Sequence, residues 1–128
     1  MASSERKKVI QDFTDLEIYQ LALDLAEWIY QITANFPKEE QYNLASQVRR
    51  SSNSIGANIA EGWGRYTYKE RIHFCIIARG SLAETKHHMI FSHRMKYITT
   101  ETLDTHIAKH KNLSVKLNNY IASLHRLS

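Results

Sequence analysis

Two adjacent arginines, Arg49 and Arg50, open the stretch of this 128-residue chain best equipped for chemistry. Small and polar residues follow at helical spacing, and Arg65 and Lys69 come just after the stretch ends. Guanidinium and ammonium groups hold phosphate oxygens, so the chemistry on offer is charge recognition rather than bond making. Trp63, Tyr66 and Tyr68 sit among these cations and could stack on unpaired bases. A ring that anchors a loop or meets another subunit is the commoner use of such residues. Asn58 and Glu61 share the stretch and would be costly to bury without partners. A structural role, satisfying backbone groups or holding an arginine across an interface, fits them better than catalysis.

Metal chemistry has weaker support. Glu84-Thr85-Lys86-His87 is one Glu-x-x-His unit, with His88 beside it. Di-iron bundles use two such units and two further inward glutamates. The second unit is absent from the sequence. His106 and His110 are four apart and could share a metal, but no third ligand is clearly paired with them. Cys75 is the single cysteine and lies in the apolar run Phe74-Cys75-Ile76-Ile77-Ala78, where a buried small hydrophobe is the expected role. Gly62-x-Gly64 follows a helix, the wrong context for a nucleotide fingerprint. The chain is therefore expected to be no enzyme and to need neither metal nor cofactor.

The elements that position these residues are helices. Only 4 Gly and 1 Pro leave little material for turns, which excludes a β-sandwich. With 43% hydrophobic and 23% charged residues, the chain has the make-up of one folded domain. A net charge of +4 and a pI near 9.2 permit a nucleic-acid partner without demanding one. No apolar run is long enough to cross a bilayer, and Met1–Lys8 has basic residues without an apolar stretch behind them. A cytoplasmic protein is expected, with a flexible N-terminal arm over 1–12 and a bundle domain over 13–128.

Helix 1 is predicted from about Leu16 to Asn35, with Asp15 as its N-cap. Glu17, Gln20, Asp24, Glu27, Gln31 and Asn35 fall in one narrow polar arc, leaving an apolar arc roughly twice the usual ~100°. Such a helix calls for cover on two sides, by its own bundle and by another subunit. Phe36-Pro37 breaks the chain, and helix 2 is predicted from about Lys38 to Glu61. Leu44, Val48, Ile55 and Ile59 form its apolar stripe, beside a row of small residues, Ala45, Ser52, Gly56 and Ala60. Gly56 should mark a close backbone approach, and Gly62 and Gly64 a C-terminal stop. Thr67-Tyr68-Lys69-Glu70 matches a capping box that opens helix 3, predicted to reach Tyr97 with Gly80 as a second close-packing candidate. Helix 4 follows Thr99 and runs to about Leu127. Four helices with short loops imply an all-α, antiparallel up-down-up-down four-helix bundle.

Several of these residues together are distinctive: Phe13-x-Asp15-Leu16; Phe36-Pro37-x-Glu39 with Tyr42-x-Leu44-x-x-Gln47; Arg50, then Ser54-Ile55-x-Ala57-Asn58-Ile59-Ala60-Glu61-Gly62-x-Gly64-Arg65; and Ile77-Ala78-x-Gly80-Ser81-Leu82-x-Glu84. Through them, over roughly residues 13 to 125, the chain resembles the four-helix-bundle proteins often encoded in intervening sequences of bacterial 23S rRNA genes. One departure is Thr85, where such proteins usually carry leucine. The resemblance implies a compact antiparallel bundle that assembles into a ring of five subunits. More distant relatives look like the accessory proteins of diversity-generating retroelements, which work with a reverse transcriptase and bind nucleic acid. The family name describes where the genes lie and carries no activity.

The expected function is thus binding of structured RNA or other nucleic acid by a ring-like homo-oligomer, a pentamer by resemblance. Arg49, Arg50, Arg65 and Lys69 are the expected nucleic-acid-binding residues, and Ser52, Gly56, Asn58 and Glu61 the expected subunit interface. The alternative is a protein-interaction scaffold in which the arginines join subunits and bind no nucleic acid.

Overall fold

The computed structural model describes residues 9–128, and residues 1–8, most of the expected arm, lie outside the described residues. Among the described residues are four α-helices and no strand: α1 Glu17–Thr33, α2 Leu44–Trp63, α3 Tyr68–Arg94 and α4 Thr100–Leu127. The broadest contact is α2 on α3, followed by α3 on α4 and α1 on α2, and α1 meets α4 more lightly. Ile29, Val48, Ile55, Ile59, Leu82, Met89, Leu113 and Leu117 fill the centre, with essentially no exposed surface. Phe36, Leu44 and Ala45 form a small second core under Ile32, Tyr97 and Ile98.

The helix starts show which local signals win. Asp15 does not cap α1. It belongs to a 3-10 turn, Phe13–Asp15, where its carboxylate accepts the N–H groups of Gln11 (3.0 Å) and Asp12 (3.2 Å). Leu16, in extended conformation, stands at the N-cap with no side-chain bond. Pro37 likewise leads into a 3-10 turn, Lys38–Glu40, and α2 starts only at Leu44. Gln41 holds this detour in place, its Nε2 donating to the carbonyls of Thr33 (2.9 Å) and Phe36 (3.0 Å). The capping box at α3 forms as expected, with Glu70 N donating to Thr67 Oγ1 (3.1 Å) and Thr67 N to Glu70 Oε2 (3.3 Å). Thr99 Oγ1 caps α4 by accepting from Thr102 N (3.1 Å).

Helix α3 ends at Arg94, three residues before the predicted Tyr97. Lys96 adopts φ 66°, and the N–H groups of Lys96 and Tyr97 bond back to the carbonyls of His93 and Ser92, both at 2.9 Å. This is a Schellman ending with lysine at the position glycine usually takes. The left-handed conformation costs an L-residue roughly 1–2 kcal/mol that glycine avoids.

Gly64 is the C-cap of α2, as expected, but the close approach expected at Gly56 lies at Gly62 instead. Gly62 lies inside α2, and a Cβ there would sit 3.0 Å from Phe74 Cβ and 3.3 Å from the Arg71 carbonyl. It is the close approach between α2 and α3. At Gly56 a Cβ would meet Tyr19 and Ala22 of α1 at an ordinary 3.5–3.7 Å. A Cβ at Gly80 would meet nothing within 4 Å among the described residues, so close packing there does not occur among them.

Hydroxyl groups line the α2–α3 contact. Thr85 is fully buried, its hydroxyl 2.8 Å from Ser51 Oγ and donating to the Ser81 carbonyl (2.8 Å). Ser54 and Ser81 hydroxyls meet at 3.0 Å. The threonine that departs from the resemblance therefore has its hydrogen bonds satisfied, and its short side chain lets the helices approach.

Candidate nucleic-acid interface

Helix α2 separates the four expected cations into two pairs. Arg49 and Arg50 lie near its start and Arg65 and Lys69 beyond its end. At 1.5 Å per residue, Arg50 and Arg65 are roughly 20 Å apart along the axis. One protomer therefore presents two basic clusters.

At the first cluster, Arg49 is half-buried and committed. Its Nε donates to Thr33 Oγ1 (2.8 Å), and its guanidinium carbon lies 5.0 Å from the centroid of the Tyr30 ring. Thr33 in turn donates to the Ile29 carbonyl (2.7 Å), so this chain of bonds fastens α2 to the end of α1. Arg50 is exposed and, among the described residues, makes no hydrogen bond or ion pair. Both arginines border a groove of about 360 Å³ with Tyr30, Gln41, Tyr42 and Ser46, and among the described residues no acidic side chain lines it. Tyr42 is 96% exposed.

At the second cluster, Arg65 pairs with Glu61 (Nη2–Oε2 3.1 Å) and lies 4.7 Å from the Phe74 ring centroid. The pair is exposed, so it orients Arg65 more than it stabilises the fold. Lys69 is exposed, with no ion pair among the described residues. Between them Tyr66 is 99% exposed. Trp63 is half-buried against the main core, and Arg71 stacks on it at 4.5 Å and approaches Tyr68 at 5.7 Å. Trp63 thus anchors the α2–α3 connection, while Tyr66 alone of the three aromatics stands fully in solvent.

The residues expected at a subunit interface divide in the same way. Ser52 is buried inside the chain, its hydroxyl donating to the Arg49 carbonyl (3.0 Å), and Gly56 is buried against α1. Asn58 is half-buried and donates to the Ser54 carbonyl (2.8 Å) and hydroxyl (3.0 Å) of its own helix. Glu61 is on the surface with Arg65. The wide apolar arc of α1 is mostly covered by its own bundle, with Leu23 and Tyr30 left exposed. A second exposed face lies on α3, where Ile76, Gly80, Ala83 and Ile90 share one stripe with exposed His87, flanked by Ile77 and Phe91.

His88, His106 and Cys75 occupy interior positions of different kinds. Cys75 is buried, and burial pushes its thiol up to about 11, leaving it unreactive at neutral pH. His88 meets Glu84 at 3.2 Å. His106 is fully buried and stacks on Trp28 with ring centroids 6.1 Å apart. Neither of its nitrogens has a hydrogen-bond partner among the described residues. Burial first, then His110, Lys86 and Lys109, lower its pKa to about 4. Among the described residues no group of three or more His, Cys, Asp or Glu side chains converges. Among them, too, no helix is long and apolar enough to cross a membrane.

Sequence reasoning missed Tyr42 as a member of the basic groove and Lys96 as a left-handed residue. Tyr42 sits in the turn between Pro37 and Leu44, which the helical pattern of its neighbours conceals. No sequence signal marks Lys96, because lysine normally avoids that conformation.

The family model of the 23S rRNA-intervening sequence proteins matches residues 14–119. A crystal structure of a protein of unknown function from the S23 ribosomal protein family of Bacteroides thetaiotaomicron superposes with a TM-score of 0.76. It is 24% identical, and the match covers 82% of this chain and 95% of that one, a likeness of fold. No curated protein matches the chain.

Proposed function

The chain belongs to the 23S rRNA-intervening sequence protein family, and from that premise we propose that it is a non-enzymatic, homo-oligomeric binder of structured RNA or other nucleic acid. One observation carries the reading: each end of α2 joins cationic groups to a fully exposed tyrosine, with unpaired Arg50 lining a groove with Tyr42, and Tyr66 lying between Arg65, which Glu61 orients, and unpaired Lys69. Cations hold the phosphates and the rings meet bases that are not paired. Arg49 positions the first cluster while keeping part of its guanidinium in the groove. The four helices run antiparallel, up-down-up-down, and the bundle acts in the cytoplasm as a ring of five copies.

The test is titration of purified protein into labelled hairpin RNA, duplex DNA and single strands at several salt concentrations. Binding should weaken steeply with salt, the slope counting the phosphates contacted. Arg50→Glu with Lys69→Glu should remove most of the affinity and leave the fold intact. Equal affinity of this variant for every nucleic acid tested would end the assignment.

A second reading, a protein-interaction scaffold, is favoured by the exposed apolar face of α3. In that case the arginine variants lose the oligomer rather than nucleic acid.

A further inference from the structure

A cleft of about 620 Å³ lies where the end of α1 meets the α3–α4 connection. Half-buried Ile32, Tyr97 and Ile98 supply an apolar floor, Arg94 and Lys96 supply cations, and His93 lies beside them. Among the described residues no acidic side chain lines it. Two of the groups are already oriented: His93 Nε2 meets Thr100 Oγ1 at 3.0 Å, and the Tyr97 hydroxyl donates to Glu40 Oε2 (2.8 Å), with its ring tilted against Phe36. Lys96 stands on the cleft in the left-handed conformation that glycine would adopt without strain. A strained residue at a concave, cationic surface points to a use for its side chain rather than its backbone.

From this cleft we infer that the protein binds a phosphorylated small molecule with a flat, largely apolar body, of the size and chemistry of a nucleoside monophosphate. Arg94 and Lys96 take the phosphate, and the body lies over Tyr97 between Ile32 and Ile98. The volume suits such a ligand, and cationic rim with apolar floor matches its two halves. This site uses none of Arg49, Arg50, Arg65 or Lys69, so it stands or falls separately from the nucleic-acid reading.

The experiment is calorimetric titration of the full chain with adenosine 5′-monophosphate, with adenosine and inorganic phosphate as separate arms. The monophosphate should bind more tightly than either half, and binding should weaken with salt. Lys96→Gly should raise the melting temperature while weakening monophosphate binding about tenfold, the size of one lost charge-assisted contact. Arg94→Ala should weaken it similarly without the thermal gain. Equal affinity for adenosine and its monophosphate, or Lys96→Gly binding as the parent does, would overturn the site. So would absence of binding at millimolar monophosphate. A competition arm separates the two sources of phosphate: RNA bound at the arginine clusters should stay bound under excess monophosphate. Displacement of RNA, with Lys96→Gly losing both, would return the cleft to the nucleic-acid surface and overturn the small-molecule assignment.

Discussion

Protonating His106 would put a charge in the core beside Lys86, Lys109 and His110, with Trp28 stacked on the ring and neither nitrogen paired. The folded state therefore refuses a proton that the unfolded chain accepts near pH 6.5. Stability is full above about pH 6.5 and is lost as pH falls to and through about 4. The loss attributable to this one group reaches about 3 kcal/mol. His106→Leu, close in volume, should hold or raise stability at neutral pH by about 1 kcal/mol and flatten the acid limb. Urea unfolding at pH 7.5 and 4.5 measures both. A variant whose acid limb is as steep as the parent's would show that another group drives the transition. The sequence displayed the i, i+4 spacing of His106 and His110, but spacing cannot say that one imidazole is sealed behind Trp28. That depends on how α1 lies on α4.

Two glycines in α2 differ only in what faces them, and alanine should tell them apart. At Gly56 the added methyl finds ordinary contact distances, so Gly56→Ala should stabilise by about 0.5–1 kcal/mol through helix propensity. At Gly62 the methyl would press on Phe74 and the backbone of Arg71, so Gly62→Ala should destabilise by about 1–3 kcal/mol. Thermal unfolding of both variants is the check, and shifts of the same sign would refute the assigned contacts. The number of helices, their apolar faces and the capping box at Thr67 were legible because each rests on short-range periodicity or on a bond three residues long. Helix starts were less legible. Asp15 and Pro37 both signal a beginning, but Asp15 closes one 3-10 turn and Pro37 leads into another, and each turn precedes its helix by one or more residues. Which glycine is crowded was not legible at all, since the crowding atoms come from a different helix. The same holds for Thr85, whose hydroxyl partner, Ser51, is 34 residues away in sequence.

At the scale of the whole molecule, the two basic clusters of one protomer are too far apart to form a single phosphate site, so strong binding calls for repetition. Copies joined through a shared face would set several clusters on one surface. The second contact then forms at high effective concentration, raising avidity without any new interaction. The face with the features for such joining is α3, where Gly80 meets nothing within 4 Å and Ile76 and Ile90 flank it in solvent. Ile76→Asp with Ile90→Asp should leave the protomer folded, because both side chains are exposed, and should yield a monomer in light scattering. If binding depends on repetition, this monomer should lose at least about tenfold in RNA affinity and show a shallower salt slope, since fewer phosphates are held at once. An unchanged mass would move the interface elsewhere, with the cleft between Leu23 of α1 and Ala57 of α2 the next place to look. A folded monomer that still binds as tightly as the parent would mean that one protomer's cluster suffices, and the proposed assembly would then serve something other than nucleic-acid affinity.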